Sequence, residues 1–130
     1  MQEKCDSQSA HQVANGVADA MRTMNVAALG QFYADDIVVW HNFDTKTQSK
    51  QENLTFLEDF FTRCAGVLYE NIDRHITEFG YLQQHLLTIA LKSGRAVSIP
   101  CCHIVKVKDG LIWRFDEYFD PAPFYQLLAA

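Results

Sequence analysis

The chain has 130 residues, 48% of them hydrophobic, which is enough for one compact core and too few for two ordinary domains. Its formal net charge of -5 lacks the basic footprint that a phosphate backbone or an anionic membrane surface would attract. No run approaches the roughly 18 apolar residues of a membrane span, and the opening MQEKCDSQSAHQ has neither the basic nor the apolar block of a secretion signal.

The expectation is one cytoplasmic domain over residues 1–130, with no nucleic-acid and no membrane partner. Between Ser9 and about Met24, the residues Val13, Val17, Ala20, Met21 and Met24 recur at helical spacing, predicting an amphipathic helix capped by Ser7 or Ser9. VAALGQFY predicts a short second helix, Asp35 and Asp36 break it, and Ile37, Val38, Val39 and Trp40 open a strand. DTKTQSK reads as a polar loop. Ser49 followed three residues later by Glu52 is a capping-box signature for a helix over ENLTFLEDFFTRCAG, with Gly66 as its stop.

Three or four extended runs follow, VLYENIDRHITEF, YLQQHLLTIALK, RAVSIPCCHIVKVK and LIWRFDEYFD, separated at Gly80, Ser93-Gly94 and Asp109-Gly110. Such short connections are hairpin signals, so the sheet is expected to be largely antiparallel. Pro121 and Pro123 end the last strand and leave a short helix in PFYQLLAA. Helices first and strands later place the chain in the α+β class. Cys5, Cys64, Cys101 and Cys102 suit neither a disulfide framework nor a zinc site, because neighbours 101 and 102 leave a strand on opposite faces. Cys64 and Cys101 read as small core hydrophobes.

Alternation along the strands selects the candidate site. Ile99, Cys101, His103, Val105 and Val107 share one face; Leu111, Trp113, Phe115, Glu117 and Phe119 share another; Ile37, Val39, His41 and Phe43 share a third. Taken singly, a histidine on an apolar strand face is more often a satisfied core residue than a catalytic one. Glu117 alone has a structural alternative as well, a buried ion pair with Arg114 or Arg95. Two imidazoles and a carboxyl arriving on inward faces of one curved sheet would instead surround a cavity whose ligand or water satisfies them. His75 and His85, beside polar neighbours, read as surface or interface positions, and His11 as solvated. Leu87, Ile89 and Leu91 form an apolar row that suits the outer face of the sheet and a dimer contact.

On FYADDIVVWHNF, GRAVSIPCCHIVKV and DGLIWRFDEYFDP, the chain resembles the NTF2-like superfamily, which includes ketosteroid isomerases, SnoaL-type polyketide cyclases and scytalone dehydratase relatives. The resemblance implies a cone of curved antiparallel sheet closed by N-terminal helices. It also implies that His41 stands where the isomerases keep their carboxylate base and His103 where they keep a second acid, while Val17 replaces a phenol and Phe61 falls at a position often occupied by tyrosine. A pair of pocket histidines is similar by residue type to the dehydratase branch, with Tyr33 and Tyr69 as possible phenols.

The leading reading is a cofactor-independent isomerase, dehydratase or cyclase acting on a small, mostly apolar carbonyl or hydroxy compound. His41 would be the general base, as imidazoles ordinarily titrate near about 6.5; His103 would donate to the developing oxyanion, and Glu117 would orient a histidine or act as a raised-pKa acid. Trp113, Phe115, Phe119, Tyr33, Phe61, Cys101 and Trp40 would bind substrate, with Trp40 on the opposite parity. The alternative is a binding or dimerisation module without chemistry, pairing through the outer face of the sheet. A third reading, a metal held by His41, His103 and Glu117, has no local ligand motif behind it.

Overall fold

In the computed structural model, which describes residues 4–129, the chain runs α1 (Ser7–Arg22), α2 (Val26–Gly30), β1 (Tyr33–His41), β2 (Thr47–Gln48), α3 (Lys50–Phe61), β3 (Cys64–Thr77), β4 (Gly80–Leu91), β5 (Ala96–Lys108), β6 (Leu111–Phe119) and α4 (Pro121–Leu128). The α+β class holds. The cap of α1 is Asp6, whose carboxylate accepts from the Gln8 N–H, so both serines expected there lie inside the first turns. The Ser49–Glu52 capping box opens α3 as expected, with both of its reciprocal bonds present. That helix ends at Phe61 rather than Gly66, because Cys64 already pairs with Leu91 on β4.

The six strands form one open sheet in the order β2-β1-β6-β5-β4-β3. Every adjacent pair is antiparallel except β1 and β6, which run parallel. Two details depart from expectation. β1 begins at Tyr33 and carries Asp35 and Asp36 exposed within an irregularity of its pairing, and the polar stretch after it supplies the short edge strand β2.

Helices α1, α3 and α4 cover one face, and two apolar clusters fill the space beneath them. One gathers Val13, Val17 and Ala20 of α1 against Tyr81, Val105, Ile112 and Phe115. The other packs Phe60 and Phe61 of α3 and Leu127 of α4 against Val67, Ile89 and Leu91. Ile89 and Leu91 are therefore core residues and Leu87 packs beside them, which corrects their expected placement on the outer face. The outer row of β4 is instead Leu86, Thr88 and Ala90, with Leu86 opposite Pro100.

Two bulges decide which side chains face inward. In β3 the register shifts between Glu70 and Asp73, with Asn71 at a positive φ of 54°, so Tyr69 and Arg74 both point inward despite their odd spacing. In β6, Lys106 faces Arg114 while Val107 faces Ile112, leaving Trp113 as the extra residue. Ile112 is consequently fully buried and Leu111 exposed, the reverse of the strict alternation.

Gly80 opens β4 where its Cα passes against the Val105 carbonyl, and a Cβ there would overlap that backbone oxygen. Gly80→Ala is expected to lose about 1–3 kcal/mol of stability in urea unfolding. Gly66→Ala, whose Cβ would meet nothing within 4 Å, is the control expected to stay near wild type.

Candidate active site

Strand register aligns polar side chains abreast on the inner face. His41 on β1 lies opposite Glu117 on β6, Glu117 opposite His103 on β5, His103 opposite Gln83 on β4, and Gln83 opposite Arg74 on β3. The result is a polar row crossing five of the six strands. Glu117 is its centre: Oε2 lies 2.6 Å from His103 Nε2 and Oε1 lies 3.2 Å from His41 Nε2. Farther along, Arg74 Nε donates to Gln83 Oε1 at 2.9 Å, and Gln83 Nε2 donates to His85 Nδ1 at 3.0 Å.

Burial alone would raise the Glu117 carboxyl. The charge and hydrogen bond of His103, joined by those of His41, outweigh it and hold the group well below the usual carboxylate range. A raised-pKa acid is thus not what this environment makes of Glu117, whose two oxygens each face an imidazole nitrogen. Neither arginine considered as its partner reaches it, since Arg114 pairs with Asp116 at 2.7 Å and Arg95 donates to the Gln126 carbonyl. His85, in turn, is pushed down to about 3, chiefly by burial and then by His103 beside it, against an upward pull from Glu117.

Above the row lies a cavity of about 420 Å³, within the range of small-ligand sites. One turn-spaced row of α3, Asn53, Phe56, Leu57 and Phe60, forms a wall, and Val17 and Met21 of α1 form another. His41, Glu117, Tyr69, Phe115 and Phe119 line it from the sheet, while Phe43, Lys46, Phe124 and Tyr125 stand around it from the β1–β2 connection and α4. Tyr33 also lines it, its phenol donating to Asn53 Oδ1 at 2.7 Å, and Asn53 donates onward to Gln48 Oε1 at 2.9 Å. Burial, with the nearby Glu117 charge, raises the phenols of Tyr33 and Tyr69, so both remain protonated donors at neutral pH.

Of the residues expected at the site, His41, Glu117, Tyr33, Tyr69, Phe115 and Phe119 line the cavity; His103, Trp113, Trp40, Phe61 and Cys101 do not. His103 is 1% exposed and lies behind Glu117, so its Nε2 is committed to the carboxylate and cannot serve a substrate oxygen directly. Trp113, displaced by the β6 bulge, lies under the Lys106 ammonium at 5.2 Å. Trp40 is on the outer face, where its ring meets Tyr118 at 5.2 Å. Phe61 is one helical position, about 100°, past the cavity-facing Phe60 and packs into the second apolar cluster. Cys101 faces inward between His85 and Phe119, but its short side chain stays below the cavity, its thiol held un-ionised by burial and by Glu117.

His85 is not the surface or interface residue that its polar neighbours suggest. It is 5% exposed, stacked on Tyr69 at 4.0 Å and set edge to face with His103 at 4.5 Å. A parity count along YLQQHLLTIAL would have found it, since Tyr81, Gln83, His85, Leu87 and Ile89 share one face. Among the described residues no set of His, Cys, Asp and Glu side chains converges as a metal site; each oxygen of Glu117 is directed at an imidazole nitrogen instead.

A family model, SnoaL-like domain, matches residues 14–115. The chain belongs to the SnoaL-like family. No curated protein matches it in sequence. Solved structures share this fold at low sequence identity. An NTF2-like protein from Burkholderia pseudomallei is 16% identical with a TM-score of 0.79, covering 94% of this chain and 98% of its own. An LEH-like epoxide hydrolase from M. tuberculosis is 18% identical at a TM-score of 0.76, covering 94% and 90%. A protein of ketosteroid isomerase-like fold from Catenulispora acidiphila, crystallised with trimethylamine, is 13% identical at 0.74, covering 84% and 85%. At these identities the likeness is one of fold.

The perturbed pair predicts how this SnoaL-like domain responds to acid. His85 and Glu117 both titrate lower folded than unfolded, so each contributes stability above its unfolded value that is lost as pH falls. For His85 the window runs from roughly 6.5 down to about 3, and for Glu117 it opens only below roughly 4.3. Urea unfolding between about pH 7 and pH 5 is expected to show declining stability in the wild type and a flatter profile in His85→Gln. Equal slopes in the two proteins would show that His85 is not the group responsible.

Proposed function

We propose that the SnoaL-like domain is a cofactor-independent proton-transfer enzyme of the isomerase, dehydratase or cyclase kind, acting on a small, mostly apolar carbonyl or hydroxy compound. The observation that carries this reading is a carboxylate clamped between two imidazoles, with one of those imidazoles on the wall of an apolar cavity. His41 is the general base. Its Nε2 faces Glu117, and its Nδ1 has no hydrogen-bond partner among the described residues, which leaves that nitrogen for a substrate proton. Glu117 stabilises the imidazolium that forms, as an orienting carboxylate does in a catalytic triad, and His103 holds the far oxygen of Glu117.

The oxygen on which charge develops needs a donor, and Tyr69 supplies it. Its phenol lines the cavity, is kept protonated, and has no hydrogen-bond acceptor among the described residues. The proton taken by His41 from the carbon next to a carbonyl returns to another carbon in an isomerisation, or to a departing hydroxyl in a dehydration.

The competing reading is a small-molecule binding module. In its favour, Tyr33 is already satisfied by Asn53, and a relative of the same fold crystallised with trimethylamine. On either reading we propose that two copies pair through the outer sheet face, where Trp40, Leu86, Pro100, Ile104 and Tyr118 lie, with Asp116 between Trp40 and Ile104. Light scattering giving twice the chain mass is the expected result, and a strict monomer at high concentration counts against it.

Solvent deuterium exchange into a panel of cyclic ketones and hydroxy ketones separates enzyme from binder. Exchange by the wild type should fall about 10²–10⁴-fold in His41→Ala and Glu117→Gln, and about 10²-fold in Tyr69→Phe. Glu117→Gln is preferred to His103→Ala, because removing His103 leaves a buried charge half-paired at a cost of about 3–5 kcal/mol. Ligands that bind the cavity but exchange no proton would favour the module.

A further inference from the structure

The polar row continues past His103 in a way that fixes where its proton can reside. Arg74 carries only donors. Its Nε–H donates to Gln83 Oε1 at 2.9 Å, and its Nη1 donates to Asn15 Oδ1 at 2.8 Å and lies 3.3 Å from His11 Nδ1, so the guanidinium is anchored on α1. With its oxygen claimed by Arg74, Gln83 can present only its NH2 group to His85 Nδ1, 3.0 Å away. A ring nitrogen that accepts a hydrogen bond carries no proton, so neutral His85 has its proton on Nε2. That Nε2 is buried and has no hydrogen-bond partner among the described residues.

We propose that Arg74 and Gln83, neither of which lines the cavity, are positioning residues that lock His85 as its uncharged Nε2–H tautomer and so confine the row's mobile proton to the His103–Glu117–His41 end. The lock is steric as well as electrostatic. Protonating Nδ1 would set an N–H against the Gln83 NH2 group, two donors face to face, with Arg74 preventing the amide from turning over. The other groups packed on His85 do not relieve this. Tyr69 from β3 and Cys101 from β5 are held un-ionised by burial, His103 from β5 is an alternative site for the same proton, and Glu117 from β6 has both oxygens engaged by His103 and His41.

The catalytic consequence rests on the acid–base function proposed above, whereas the tautomer stands independently of it. ¹⁵N NMR of histidine-labelled, ligand-free protein reads it directly. In the wild type, His85 should show an unprotonated Nδ1 and a protonated Nε2 that stay constant between about pH 5 and pH 8. Gln83→Glu puts an acceptor beside Nδ1, and should move the proton onto that nitrogen and raise the His85 midpoint by about one unit or more. Gln83→Met should give mixed tautomers. The proposal is overturned if wild-type His85 is the Nδ1–H form or titrates within that range, a result that needs no variant to fold. It is equally overturned if Gln83→Glu folds and leaves the His85 resonances unmoved. Wild-type spectra as expected, without proton exchange on any ketone, would remove the enzymatic reading and leave the lock in place.

Discussion

An ionised carboxylate inside a protein is unfavourable unless its lone pairs are used, and the inner face of this sheet is organised around one such group. Glu117 reaches His103 on one flanking strand and His41 on the other, so that two imidazoles compensate the desolvation of one carboxylate. Only the β1–β6 pairing makes this possible. Because β1 enters beside β6 in parallel, at the register His41 opposite Glu117, the first and last strands contribute neighbouring members of one row although they are far apart in sequence.

Around this row the fold separates two tasks. The strands fix charge and protons below, while α1, α3 and α4 hold an apolar enclosure above, with His41, Glu117 and Tyr69 at the boundary between them. A carboxylate in such a place strengthens its own hydrogen bonds, because little water competes for it. The same enclosure makes the row costly to disturb, since deleting any partner strands a buried polar group. Members of a family that keep this scaffold can thus change chemistry by changing which residues occupy the row, and a likeness of fold between this SnoaL-like chain and an epoxide hydrolase or an isomerase-like protein carries no reaction with it.

Much of the architecture was legible in the sequence. The Ser49–Glu52 capping box, the Asp109–Gly110 turn and the alternation through β1 and β5 each express a local physical preference, and each led to the right element or face. His41, His103 and Glu117 were found because polar residues interrupted apolar rows. What could not be read was whatever depends on register and bulges. Trp113 reads as a cavity residue because nothing in LIWRFDEYFD announces an extra residue, and His85 reads as a surface or interface residue because its sequence neighbours Gln83 and Gln84 are polar, although alternation puts Gln83 beside it and Gln84 opposite. His103 is on the expected face, but only the folded register puts Glu117 between it and the cavity.

The state of the Glu117 carboxyl is the premise on which the row, the orientation of His41 and the choice of base all depend. Its side-chain carboxyl ¹³C resonance, followed in the folded protein from about pH 7 down to about pH 3.5, measures that state directly. The account predicts a resonance that keeps its ionised position throughout. A midpoint at or above the ordinary value of roughly 4.3 would mean that the two histidines do not outweigh burial, and would contradict it.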